Sequence, residues 1–126
     1  MRELTVVDPQ AIGDDILTSP VPLVMRGLVA HWPAVRAGLE SAQAGCAYLR
    51  GLCRDSTVGA WLGPPEIEGR FFYNHDMSGF NYQPQRLKLS AVLDELERQH
   101  DVARPAALYV GSTTVDTCLP GFRDAN

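Results

Sequence analysis

Hydrophobic positions in this chain come in short blocks, separated by proline, glycine and small polar residues. Leu4-Thr-Val-Val7 reads as a short strand. Asp8 then offers an N-cap with Pro9 at the first helical position, and Ile12, Ile16 and Leu17 form the apolar stripe of a helix that Thr18-Ser-Pro20 ends. Pro22-Leu-Val-Met-Arg26, closed by Gly27, has the density of a buried strand, and Trp32-Pro33 opens a helix where no backbone donor is needed. Ser41 is placed to cap a helix reaching about Leu52, with Ala44, Ala47, Tyr48 and Leu52 on its inner face.

The second half repeats this alternation. Thr57 to Leu62 predicts a strand broken by Gly63-Pro-Pro65, and Gly69 to Tyr73 predicts another, followed by a turn at Ser78-Gly79. Leu87-Lys-Leu89 is short and extended. Ser90 is expected to cap a helix whose Val92, Leu93 and Leu96 face inward while Asp94, Glu95, Glu97 and Arg98 face water. Arg104-Pro105 separates that helix from the strand Ala107-Leu-Tyr-Val110, and Val115 to Asn126 reads as loop. Without repeats, low-complexity tracts or a linker, the expectation is one α+β domain over residues 1–126 with short helices and short strands.

Composition narrows the function classes. Hydrophobic residues at 45% and charged residues at 21% are globular values. A formal charge of −4, with scattered arginines and Lys88 as the sole lysine, gives no basic stripe, so no nucleic-acid partner is expected. No apolar run reaches the ~20 residues that span a bilayer, so no membrane partner is expected either. Neither is a leader peptide apparent at Met1-Arg-Glu-Leu-Thr-Val6. Cys46, Cys53 and Cys118 lack C-x-x-C spacing and read as buried thiols of a cytoplasmic, reducing environment.

Metal chemistry finds little support. A facial iron triad needs two histidines and a carboxylate, and on a strand only residues two apart share a face. His75-Asp76 and His100-Asp101 are adjacent, and His31 has no acidic neighbour. Glu97-Arg-Gln-His100 would put an E-x-x-H pair on one helix face, but the chain holds no second copy for a carboxylate-bridged site. There is no G-x-S-x-G elbow and no phosphate loop. The segment Arg70 to Tyr82 concentrates Phe71, Phe72, Tyr73, Phe80 and Tyr82 among Asn74, His75, Asp76 and Asn81. It suits either a core strand with polar turn residues or the wall of an apolar pocket with a few orienting groups.

That segment, together with Pro22-Leu-Val-Met-Arg-Gly27, His31-Trp-Pro-Ala34, Ala107-Leu-Tyr-Val-Gly111 and Leu119-Pro-Gly-Phe122, resembles the front half of the cupin-like (JmjC-type) oxygenases, near the asparaginyl hydroxylases. The resemblance implies an α+β fold. N-terminal helices and strands would precede the first part of a double-stranded β-helix, a jelly-roll-like cupin barrel left incomplete in this chain. It implies an Fe(II)- and 2-oxoglutarate-dependent dioxygenase for the complete family domain, acting on a protein or small-molecule substrate. Tyr109 would reach the distal carboxylate of 2-oxoglutarate, with Tyr73, Asn74, Gly111 and Ser112 as pocket neighbours. The family's His-x-Asp and distal histidine have no counterpart in these residues, so no cofactor is expected to bind to this chain alone, and no catalytic or metal residue is assigned to it.

A partial barrel also leaves apolar wall residues uncovered. Five large side chains at about 2 kcal/mol each forfeit roughly 10 kcal/mol, against a domain stability of about 5–15 kcal/mol. The expectation is therefore a cover: a missing C-terminal half, a second copy in a homodimer, or a rearranged sheet. Two other readings remain open, a non-catalytic interaction module that self-associates through its open sheet edges and a small-molecule-binding domain using the aromatic segment.

Overall fold

The computed structural model describes residues 2–5 and 12–126. Strand β1 (Arg2–Thr5) pairs in parallel with β2 (Leu23–Arg26), fastened by an Arg26–Glu3 ion pair of 3.1 Å. Between them lies one helical turn, α1 (Asp14–Leu17); the expected start at Asp8 and Pro9 falls outside the described residues. Helix α2 (Pro33–Glu40) begins with proline at its first turn, and Ser41 separates it from α3 (Ala42–Leu52). The Ser41 hydroxyl accepts from Ala44 N at 2.9 Å, which satisfies one orphan donor of α3 as its sequence promised.

The second unit is an antiparallel sheet in the order β4–β3–β5, made from β3 (Thr57–Gly63), β4 (Gln83–Lys88) and β5 (Ala107–Val110). Helix α4 (Leu89–Arg98) lies against one face, and two short helices, α5 (Val115–Cys118) and α6 (Phe122–Ala125), follow β5. Val58, Ala60, Val92 and Cys118 form the buried cluster, ringed by Leu62, Leu87, Leu89, Leu108, Val110 and Leu119. The alternation of β3 explains the choice: Val58, Ala60 and Leu62 point at α4, leaving Thr57, Gly59, Trp61 and Gly63 on the opposite face. Asn126 bolts α6 to the helical pair, its Oδ1 accepting from Ala34 N at 3.0 Å and its Nδ2 donating to the Tyr48 hydroxyl at 2.8 Å. Among the described residues, no helix is long and apolar enough to cross a membrane.

Five local expectations change. Gly69–Tyr73 is no strand, because the Asn81 side chain accepts from Phe72 N (2.9 Å) and donates to Arg70 O (2.8 Å), standing in for a neighbouring strand. Only Tyr73 and Phe80 form a bridge there. The extended segment before α4 is six residues long, since Gln83–Gln85 pair with β3 despite their polarity. Ser90 does not cap α4; Lys88 holds the N-cap position, and the Ser90 hydroxyl donates to Asp55 at 2.6 Å. Leu96 is exposed rather than inward. Val115–Asn126 contains α5 and α6, each shorter than the repeat that would reveal a helix in sequence.

The junction of β4 and α4 carries a pH signature. Hydrogen bonds from Lys88 (2.6 Å) and then from Ser90 hold the Asp55 carboxyl below its usual value, and Asp55 raises Lys88 in return. A depressed carboxyl contributes stability that is complete above its unfolded pKa of about 4 and is lost as pH falls through the folded value. The raised amine contributes below its own unfolded pKa and is lost in strong alkali. Urea midpoints measured from pH 6 to pH 3 should therefore fall more steeply for the native chain than for Lys88→Met. The lowered carboxyls of Asp76 and Glu95 are common to both proteins and cancel.

Candidate functional site

The face of the sheet turned away from α4 is aromatic. Register places Trp61 directly opposite Tyr109, and their rings meet at 5.5 Å. From Tyr109 the contacts continue to Phe71 (5.9 Å), Tyr82 (5.4 Å), Phe80 (4.9 Å), Tyr73 (5.1 Å) and Phe72 (5.4 Å). The result is a ribbon of seven touching rings, running from the sheet across the Arg70–Tyr82 loop. Much of it faces outward: Phe72 is 65% exposed, Phe80 55% and Tyr109 53%. Rings in contact at these separations stabilise one another, so the ribbon is a coherent surface rather than scattered side chains.

An open concavity of about 260 Å³ lies at its sheet end, lined by Trp61, Phe71, Tyr82, Tyr109 and Ser112. Gly111 follows Tyr109 by two positions on the same side, and a Cβ there would sit 2.6 Å from the Tyr109 hydroxyl and 2.7 Å from Cε1. The absent side chain is what lets the Tyr109 ring lie down along the strand. The Tyr109 hydroxyl makes no hydrogen bond among the described residues, so it is free to donate to a ligand. A larger open depression of about 510 Å³ runs past Gln83 and past Phe80 and Tyr82 of the aromatic segment, and holds none of the five site residues implied by the resemblance, Tyr73, Asn74, Tyr109, Gly111 and Ser112.

Of those residues, Tyr109, Gly111 and Ser112 come together. Tyr73 and Asn74 lie towards the far end of the ribbon, where the chain turns. The Asn74 side chain is occupied there, its Oδ1 accepting from Gly79 N (3.2 Å) and its Nδ2 donating to Ser78 Oγ (3.2 Å). Phe71 and Tyr82, read in the sequence as either core or pocket wall, line this concavity, and Trp61 is the wall residue that the sequence reading missed. The period-two alternation of β3 put Trp61 opposite the core face, yet its pairing with Tyr109 needed the register.

An iron centre of the facial-triad type does not fit the donors present. Asp76 is taken up by Ser78, whose backbone N–H (3.0 Å) and hydroxyl (2.7 Å) both donate to it, and these bonds, the hydroxyl first, lower its carboxyl. Glu97 is committed to Arg50 at 2.8 Å, and α4 ends at Arg98, so Glu97 and His100 do not share a helical face. Among the described residues no three His, Cys, Asp or Glu side chains group in a way that could hold a metal ion. Burial, first among the causes, raises the Cys46 and Cys53 thiols and so disfavours the thiolate at both.

A family model described as a cupin-like domain matches residues 9–126 of the chain. No curated protein and no solved structure matches it significantly.

Proposed function

The chain belongs to the cupin-like domain family, and from that premise we propose that it forms the pocket wall and substrate-facing surface of an Fe(II)/2-oxoglutarate-dependent oxygenase of the hydroxylase type. Its strands β3, β4 and β5 are the first part of the cupin barrel. Iron would need ligands that these residues do not supply, and the Tyr109 hydroxyl would donate to the distal carboxylate of 2-oxoglutarate. The observation that carries this reading is the Tyr109 phenol, unbonded and half-exposed at the rim of an aromatic concavity on the free face of the sheet. A carboxylate moved out of water needs such a donor, and a hydrogen bond to a charged group contributes about 1.5–3 kcal/mol.

Titration with 2-oxoglutarate of the chain joined to a cupin-like C-terminal half that supplies the metal ligands, loaded with a diamagnetic divalent metal and followed by NMR, should shift the Tyr109 and Trp61 side-chain resonances. Tyr109→Phe should weaken that binding by about tenfold or more. Equal affinity in the two proteins would overturn the role of Tyr109.

A second reading, a non-catalytic module that forms homodimers, draws support from the exposed rings of Phe72 and Phe80. Pro84 and Lys88 blunt the outer edge of β4, so self-association would use the ribbon and the edge of β5. Sedimentation should then give a dimer that Phe72→Ser with Phe80→Ser dissociates. A monomer at all concentrations with a cooperative melt would count against the module.

A further inference from the structure

Beside the aromatic concavity lies a second, polar one of about 220 Å³, lined by Thr57, Gly59, Arg86, Ser112, Thr113 and Thr117 among others. Ser112 lines both. The register explains why they adjoin. Arg86 pairs with Gly59, and Gly59 precedes Trp61 by two positions, so Arg86, Gly59 and Trp61 share the free face. The β3–β5 pairing ends at Ala60 and Val110, and Gly111 leads the chain out of β5 towards Ser112. Gly59 leaves its position beside Arg86 without a side chain, and the Trp61 and Tyr109 rings lie along one border.

The concavity is cationic and hydroxylic, with the core residues Val58 and Cys118 also in its lining. Arg86 makes no ion pair and no side-chain hydrogen bond among the described residues, whereas Lys88, two positions on, is committed to Asp55. Ser112 is held at φ 51°, in the left-handed region that a non-glycine residue rarely occupies. That conformation lies at the join of the two concavities. A guanidinium fork with hydroxyls nearby binds oxyanions, and the neighbouring rings bind flat apolar groups.

We infer that the two concavities are one ligand site, which takes a molecule with an apolar or planar body on Trp61 and Tyr109 and a carboxylate or phosphate on Arg86. This deepens the reading of the free face as a pocket wall and rests on it. The site needs no metal and no 2-oxoglutarate, so it can be probed in the chain as it stands.

The test is an NMR titration of the full chain with phenyl phosphate, benzoate and phenol, following the Trp61 indole, the Gly59 and Ser112 amides and Arg86 Nε. Phenyl phosphate or benzoate should bind about tenfold more tightly than phenol, the charge-assisted contribution of one guanidinium. The tighter of the two identifies the anion class. Arg86→Gln should abolish that preference while leaving phenol binding unchanged, Arg86→Lys should retain part of it, and Arg36→Gln on α2 should leave it intact. If phenol binds as well as the anions, or Arg36→Gln matches Arg86→Gln, the anion half is wrong and the pocket wall stands. If none of the three shifts Trp61, both readings fall.

Discussion

Leu93→Ala is expected to lower the free energy of unfolding by about 2–5 kcal/mol, the range for removing a buried leucine side chain and leaving a cavity. Leu93 is 3% exposed and is one of only five fully buried hydrophobic residues among those described. Against a domain stability of about 5–15 kcal/mol, that loss leaves a protein close to unfolding at room temperature. Leu96 provides the control. It is 45% exposed, so Leu96→Ala should stay within about 0.5 kcal/mol of the native chain. Urea denaturation at constant slope reads both values. Equal losses would mean that α4 presents a different face to the sheet from the one described.

The same pair shows where sequence reasoning was strong and where it ran out. Periodicity located α4 with its start two residues late, at a Ser90 cap instead of Lys88, because Val92 and Leu93 stand against a run of charged neighbours. It could not tell that the sheet has only three strands, or that Leu96 stays 45% exposed. β3 and β5 were legible for the same reason as α4, a clear apolar face. β4 was not, because an edge strand needs only one apolar contact, Leu87, and its remaining positions are glutamine, proline, arginine and lysine. Gly69–Tyr73 failed in the opposite direction. Its aromatics have strand propensity, but the Asn81 side chain satisfies the backbone that a partner strand would have paired.

For the site, the aromatic content of Arg70–Tyr82 was visible and its arrangement was not. Aromatic residues close in sequence gave no sign that Phe71 would meet both Tyr109 from β5 and Tyr82 while Tyr73 sat towards the other end of the ribbon. That ordering depends on how the loop folds back on itself through Asn74, Gly79 and Asn81. Arg86 was overlooked for a related reason: scattered arginines carry no signal until pairing with Gly59 puts one of them next to an aromatic face.

Gly111→Ala should disable the aromatic concavity while costing little stability. The new Cβ would meet three atoms of the Tyr109 phenol ring at 2.6–2.8 Å, well inside any tolerated separation, so the ring must leave its place. Gly111 is not among the residues with positive φ, so alanine suits the backbone there, and the ring alone has to move. Because Tyr109 is half-exposed, it can swing into water with little loss of buried area, and the melting temperature should hardly change. Its contact with Trp61 should nevertheless disappear, along with about tenfold or more of the affinity for any ligand that uses the Tyr109 hydroxyl. Gly59→Ala tests a position on β3 two residues before Trp61, where an added Cβ meets only Trp61 Cη2, at 3.9 Å. That substitution should leave the Trp61–Tyr109 contact intact. Cross-ring NOEs between Trp61 and Tyr109 in the two variants decide the matter: loss in Gly111→Ala with retention in Gly59→Ala is the expected result. Retention in both would mean that Tyr109 does not lie over Gly111, and the geometry assigned to the site would be wrong.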